Sequence, residues 1–419
     1  MLQFRNGTDA RLQKGLLRGG PGGMSTSEFQ PDVDRLESVK IICISDVNGF
    51  RALMKDWRLL YDGCSDATPF NSWEWLFSWW QVHGEGRELR LLAWYMDKAL
   101  VGVAPLYLAT EKTQFGTACR VLRFVGDGSF DSDYLSLLAR PDARAFVARR
   151  FGEWLCTNRE WQALHLRELP ETSALPDVMR ELANRTGLQW RLESGRCGVV
   201  ELPSSFDEYL RARQSRFRTK IRSLLRRLEE EQLVFESRSE PRDLRRRLRS
   251  LFALHQGRWQ EVGAPGVFGA ATKRRFYVHF VPRFARRSWL RLYSLRKGAS
   301  YLAHQLCFGH DGTTYLLQEG FDISNPASSY GQMLRAAVLR HLIQQGEARY
   351  DFLGGISKHK EDWGAREGKV VHLVIARKQW RGWLYFNLPV WRERLAVEAK
   401  RVLPAGVVRW LRRATVTTG

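Results

Sequence analysis

Segment 325–363, NPASSYGQMLRAAVLRHLIQQGEARYDFLGGISKHKEDW, constrains the fold more than any other part of the chain, because turn, helix, strand and turn signals follow one another without a break. Residues 326–331 are rich in turn formers, and Met333, Leu334, Ala337, Val338, His341 and Leu342 then recur at helical spacing, so a helix is expected from Tyr330 or Gly331. Gly346 ends it. Residues 348–353 are apolar and aromatic and are bounded by Gly354 and Gly355, the pattern of a short buried strand. Gly331 offers backbone that a ligand can approach with no side chain in the way. Loop, helix N-terminus and strand make an αβ unit whose first amides, unpaired and at the positive end of the dipole, form an anion seat at Ser329, Tyr330, Gly331 and Gln332.

Tyr330-Gly331, Gly346, Tyr350-Asp351-Phe352-Leu353, Gly355, His359-Lys360 and Trp363 also stand in a recognisable order. The run resembles the C-terminal signature of the GNAT-like acyltransferases grouped with CelD, the acetyltransferases of exopolysaccharide and cellulose biosynthesis. It is more distantly similar to the Fem-type aminoacyltransferases of peptidoglycan synthesis. The chain carries Tyr330-Gly331 where that family has Pro-Gly and His359-Lys360 where it has Tyr-Lys, and only Gly331 is left of the usual GNAT pyrophosphate loop. The resemblance implies an α/β (α+β) architecture of two tandem GNAT-like domains, each a mixed, mostly antiparallel sheet flanked by helices. It implies acyl-CoA, such as acetyl-CoA, as co-substrate, with aminoacyl-tRNA as the Fem-like alternative.

An internal echo points the same way: Leu290-Arg291-Leu292 repeats Leu89-Arg90-Leu91, and Leu302-Ala303 falls where Val101-Gly102 did, at an offset of about 200 residues in both pairs. The expected division is a disordered lead (1–36), a first GNAT-like domain (37–200), a basic helical connection (201–260), a second GNAT-like domain with the donor site (261–376) and a basic aromatic amphipathic tail (377–419). The first domain lacks an equivalent of Tyr330-Gly331 or Lys360 and is expected to be structural. Its segments 40–45, 89–95, 99–109, 118–125, 134–138 and 163–166 read as strands, and 50–60, 73–83, 147–155 and 175–186 as helices. Trp75, Trp79 and Trp80 share a broad helical face that suits core packing better than sugar or lipid binding.

A formal charge of +21 favours an anionic partner, whether nucleic acid, phospholipid, a CoA or nucleotide phosphate, or an acidic glycan. Six scattered cysteines without a CxxC, and nine histidines without metal spacing, fit reduced cytosolic usage and no metal site. Residues 1–23 have no apolar h-region, and no window of about 18 apolar residues occurs, so neither a secretory signal nor a membrane span is expected. Met24 competes with Met1 as the start, and the expected location is the cytoplasm or the inner face of the membrane.

Segment 204–249 is the most charged. Ser205 and Glu208 form a capping-box pattern, and a helix is expected to run to Glu231 with Arg216, Lys220 and Arg222 among its cations. A solvated surface accounts for such a run as well as phosphate recognition does, and the resemblance places this motif beside the active site. A further basic helix is expected over 240–255, after which His255, Trp259 and Gly263 resemble the family's substrate-contacting helix end. Segments 290–295, 300–309 and 313–321 read as strands, and Gly320 hints at a bulge or a close ligand approach.

In GNAT folds the strand equivalent to 313–321 splays from the next one to admit the pantetheine arm, so the resemblance sets Glu319 nearest the acyl carbon. Acyl transfer needs a base and an oxyanion stabiliser; Glu319, His304 and Asp351 are the candidate bases, Asp351 being equally suited to a structural hydrogen bond. Lys360, among His359, Glu361 and Asp362, should stay charged and anchor the acceptor, or else pair with Glu361 or Asp362. Beyond Val374, Trp380, Trp383, Tyr385 and Phe386 precede amphipathic helices over 391–403 and 407–411, which suit an anionic membrane and packing onto the first domain equally. The expected activity is acyl transfer to an amine or hydroxyl of a cell-envelope or exopolysaccharide precursor, an anionic small molecule or a glycan- or lipid-linked acceptor. Nucleic acid enters only with a tRNA-borne donor. The rival is a non-catalytic protein binding RNA or anionic membrane, which the absence of an RNA-recognition motif disfavours.

Overall fold

The computed structural model describes residues 39–113, 115–129, 131–237, 243–261, 263 and 266–402. Strand β1 (Lys40–Ile44) leads into helices α1 (Val47–Ala52), α2 (Met54–Asp62) and α3 (Trp73–His83), the last capped by Ser72, whose hydroxyl accepts from the Trp75 amide. The meander β2 (Glu88–Met96), β3 (Ala99–Lys112) and β4 (Ala118–Phe124) follows, with a short β5 (Leu138–Ala139). Helix α4 (Arg144–Thr157), β6 (Ala163–Pro170), α5 (Leu175–Thr186) and β7 (Gln189–Glu201) complete the first half. Next come α6 (Phe206–Arg211), α7 (Ser215–Glu230), β8 (Val234–Glu236), α8 (Leu244–Glu261) and α9 (Ala271–Arg286). The second half is β9 (Leu290–Lys297), β10 (Ser300–His310), β11 (Thr313–Phe321), α10 (Tyr330–Gln344), β12 (Arg349–Gly354), α11 (Lys358–Asp362) and β13 (Arg366–Ala376), followed by α12 (Trp380–Val402).

The strands form one mixed, mostly antiparallel sheet in the order β1-β2-β3-β4-β6-β13-β7-β12-β11-β10-β9-β8, with β5 on β3. Each half is an antiparallel meander followed, after a helical crossover, by a parallel neighbour: β4 with β6, and β11 with β12. The last strands of the two halves interleave. Strand β7 pairs with β12, β13 pairs with β6, and the two pair with each other from Arg366–Val199 to Ala376–Gln189. The expected sheet in each half is therefore corrected to a single shared sheet, because each half supplies the strand that closes the other.

Helices cover both faces because their apolar stripes demand it. Trp75 of α3 packs its ring against Phe276, Phe280 and Phe284 of α9 and against Phe308 of β10, so aromatic burial ties the two halves together on one face. On the other, Ile221, Leu224, Leu225 and Leu228 of α7 meet Met333, Leu334, Val338 and Leu342 of α10 above Tyr293 and Tyr350.

Several expectations change. Residues 134–138 are not a strand, since Tyr134 sits at φ 51° in a loop and only Leu138–Ala139 pairs. The helix expected from Ser205 to Glu231 breaks after Arg211 into α6 and α7. The basic helix of 240–255 begins at Leu244 and runs to Glu261. In the tail one helix starts at Trp380, and its Tyr385 and Phe386 pack against Cys119, Val121 and Ala163 of the first half and against Ala376 at the end of β13. The lead 1–36 and the helix expected at 407–411 lie outside the described residues.

Candidate active site

The parallel pair β11–β12 is in register only from Thr313–Arg349 to Tyr315–Asp351; beyond that point the strands part. Period-two alternation sends Tyr350 and Phe352 toward α10 and Asp351 and Leu353 to the other face. Asp351 thus stands at the fork. Its Oδ2 accepts from the Tyr134 hydroxyl at 2.8 Å and its Oδ1 from the Leu353 amide at 2.7 Å. Burial pushes its carboxyl up to about 6, against the pull of those hydrogen bonds and of Lys360. Burial and the Asp351 charge raise the Tyr134 hydroxyl, which stays protonated and donates.

Asp133 lies beside this pair, its carboxyl raised well above the ordinary range by burial and then by Glu168 and Asp351. Burial also raises the nearby Cys197 thiol, which is therefore no thiolate. Tyr134, Glu168 and Leu353, all non-glycine residues at positive φ, converge here. Such conformations cost roughly 1–3 kcal/mol each and persist where the surroundings over-determine them, as at functional sites.

Lys360 serves the end of β12. Its ammonium donates to the carbonyls of Phe352 (3.1 Å), Leu353 (3.3 Å), Gly354 (2.8 Å) and Gly355 (2.8 Å), which commits all three protons. Burial lowers its pKa while Asp133 and Asp351 oppose the shift. Lys358, rather than Lys360, pairs with Asp362 at 3.1 Å.

On the α10 side of the fork, Glu319 forms an ion pair with Arg335 and accepts from Gln305 Nε2 at 3.3 Å. Burial alone would raise this carboxyl, but Arg335 outweighs it and holds the pKa below the ordinary value. Arg335 also donates to His359 Nε2, and burial together with Arg335 keeps that imidazole neutral. His304 points the other way, since it is Gln305 that stands opposite Glu319 in register. It meets Ser294 Oγ at 2.7 Å and is lowered to about 3 by burial and Arg247. The three candidate bases therefore occupy three separate environments.

The expected anion seat is only partly open. Ser329 adopts φ 55°, no side chain caps α10, and the amides of Gln332 and Met333 both return to the Ser329 carbonyl at 3.0 Å. A Cβ on Gly331 would lie 2.5 Å from the Phe321 ring, so its missing side chain lets α10 pack on β11 and is not an approach for a ligand. At Gly320 the close neighbour is likewise protein, the His255 amide at 2.7 Å from such a Cβ. Trp259 donates to His255 Nε2 at 3.1 Å, beside Arg258, whose guanidinium lies 4.9 Å over Phe321.

Arg216, Lys220 and Arg222 are exposed on α7 but do not share a flank, because two residues of helix turn Arg222 about 200° from Lys220. Lys220 lies near His359, and Arg227, on the same flank, donates to the Ala327 carbonyl at 3.2 Å. Arg227 thus replaces Arg222 in the row facing the loop before α10.

Asp351, Tyr134, Tyr315 and Cys197 open into a cleft of about 890 Å³ whose far wall includes Val147, Leu175, Val178 and Leu182 of α4 and α5. At its rim Arg144 pairs with Asp66 and Lys369 with Glu171, while Arg185 makes no ion pair among the described residues. Sequence reasoning missed Tyr134. The signal was present in Gly126-Asp127-Gly128 followed by Asp131 and Asp133, a glycine- and acid-rich run that reads better as a site loop than as a strand. Among the described residues, no group of three or more His, Cys, Asp or Glu could hold a metal ion.

Residues 215–361, from α7 to α11, match the family described as the acetyltransferase (GNAT) domain, so the chain carries a GNAT-type acetyltransferase domain. No curated protein matches the chain. Among solved structures, the crystal structure of FemX is 12% identical over 80% of this chain and 96% of its own, with a TM-score of 0.52. L-PGS from Bacillus licheniformis is 12% identical (81% and 95% covered, TM-score 0.48), and a tandem GNAT protein from the clavulanic acid biosynthesis pathway is 13% identical (82% and 100%, TM-score 0.41). The likeness to FemX is one of fold, and these comparisons do not single out the CelD group.

Proposed function

We propose that the chain is a GNAT-type acyltransferase that moves an acyl group from acyl-CoA to an amine or hydroxyl, with Asp351 as general base. Asp351 carries the reading: a buried carboxylate at the strand fork, held by Tyr134 and shifted to about 6, is ionised at neutral pH yet basic enough to take a proton. The acceptor's N–H or O–H gives its proton to Asp351 as the bond to the acyl carbon forms. The C–S bond then breaks, the departing thiolate takes a proton from solvent, and Asp351 returns its own to solvent. The uncapped start of α10 at Ser329 and Tyr330, ahead of the committed Gln332 amide, with Arg216, Lys220 and Arg227 nearby, is the seat for the donor's phosphates.

The apolar cleft wall and the mixed-charge rim support an amphipathic acceptor, such as an envelope or exopolysaccharide precursor, in keeping with the CelD resemblance. The repeated strand order supports two GNAT-like units, the first ending with β7, that have exchanged closing strands. Exposed Arg211, Arg216, Lys220 and Arg222 favour a second reading, in which the donor is an aminoacyl-tRNA.

Calorimetry with acetyl-CoA and with aminoacyl-tRNA separates the two donors. In the acyl-CoA reading acetyl-CoA binds, Asp351→Asn binds it equally well, and the slow release of CoA thiol with water as acceptor falls by about 10² or more in that variant. Binding of aminoacyl-tRNA without binding of acetyl-CoA would establish the second reading instead.

A further inference from the structure

Over residues 380–391, helix α12 has one face committed and one bare. Inward, the Tyr385 hydroxyl donates to Glu111 at 3.2 Å and meets His165 Nδ1 at 3.0 Å, Arg191 lies 4.9 Å over Phe386, and Leu388 is buried. Outward, at helical spacing i, i+3 and i+11, stand Trp380 (61% exposed), Trp383 (39%) and Trp391 (42%), and these are all the exposed tryptophans among the described residues. The rings of Trp383 and Trp391 lie 5.1 Å apart, so they form one patch rather than scattered apolar points. Exposed Lys378 and Arg381 flank it, the Arg381 guanidinium 5.1 Å over the Trp380 ring.

The charge of this region selects the occupant. From residue 378 to the last residue the sequence has nine Lys and Arg against two Glu. A second copy of a chain with formal charge +21 would bring like charge to like charge, whereas a surface of anionic headgroups meets both the cations and the tryptophans, whose amphipathic rings favour the membrane–water interface. Among the described residues no helix is long and apolar enough to cross a membrane, so the contact is peripheral. We propose that the Trp380–Trp383–Trp391 face of α12 seats the protein on the headgroup region of an anionic membrane. This goes beyond the acyl-transfer reading and stands or falls apart from it.

The test is co-sedimentation of the full chain with vesicles of phosphatidylglycerol and phosphatidylcholine, and with phosphatidylcholine alone. The chain should sediment with the mixed vesicles and stay in solution with the neutral ones. Trp380→Ser, Trp383→Ser and Trp391→Ser together should weaken partitioning at least tenfold with an unchanged far-UV spectrum. Lys378→Glu with Arg381→Glu, a surface change that leaves the inward face untouched, should do the same, and it decides the matter if the triple variant misfolds. An equal reversal at exposed Arg245 and Arg249 of α8 should change partitioning less than twofold. Equal loss in that control would reduce the effect to net charge and overturn the proposal. So would absence of binding to the mixed vesicles, or a charge-reversed α12 that binds as the parent does. A tryptophan variant that turns a dimer into a monomer while vesicle binding persists would assign the face to a second copy.

Discussion

At the scale of single residues, Asp351 and Lys360 divide the work. Activity should fall as pH drops through about 6, where Asp351 takes up its proton. The Tyr134 hydrogen bond favours the ionised form, so Tyr134→Phe should move the acid limb of the kcat/KM profile to higher pH; a limb that stays put would detach Tyr134 from the base. The same shift has a stability sign. The folded pKa lies above the unfolded one, so the contribution of Asp351 to stability is present below about pH 3.9 and is lost as pH rises through about 6. Asp351→Asn should therefore melt no lower than the parent at pH 8 while losing turnover, an outcome that a purely structural aspartate would not give. Lys360 predicts the reverse. Removing a donor shared by four carbonyls in Lys360→Met should cost about 1–3 kcal/mol in urea unfolding. Lys360→Arg should recover little, because a planar fork cannot converge on a strand end as an ammonium does. Unchanged stability with a raised acceptor KM would return Lys360 to the anchoring role.

At the scale of elements, the contact between Gly331 and Phe321 makes α10 and β11 a matched pair. Gly331→Val should destabilise the fold by about 1–3 kcal/mol through overpacking, and Phe321→Ala should relieve much of that cost in the double variant. If instead the single variant keeps its stability and loses only acetyl-CoA binding, the residue serves the ligand directly. Helix α10 and strand β12 were legible in the sequence because their signals are local: an apolar stripe, a terminating glycine and an aromatic run between glycines. Strands β7 and β13 were not. Arg191, Glu193, Arg196, Glu367 and Lys369, interspersed with Gly195, Gly198 and Gly368, carry no clean alternation, and only partners far along the chain make strands of them. The site divides in the same way. Asp351 could be read from its motif, whereas its hydrogen bond to Tyr134 spans 217 positions and the loop that delivers it resembles a strand.

At the scale of the whole molecule, the interleaving of β7 and β13 decides how the protein unfolds. Both neighbours of β7, β12 and β13, come from the second half, and β6 of the first half depends on β13 for its outer partner. A fragment of residues 39–201 would leave β7 without either neighbour and expose Trp75, which packs on Phe276, Phe280 and Phe284. Neither half can then bury its core alone, and the unfolding of one removes the partner of the other. The full chain should unfold in urea in one transition, with tryptophan fluorescence and far-UV circular dichroism superimposable. Buried Trp161 in the first half and Trp363 in the second give the fluorescence signal a reporter on each side. Fragments 39–201 and 202–402 should each be soluble only poorly and lack cooperative melting, and should regain it when refolded together, because the contacts they lose are those they make with each other. Two resolved transitions, or a 39–201 fragment that melts cooperatively as a monomer, would show that the halves are independent domains and that the shared sheet is an association rather than a condition of folding.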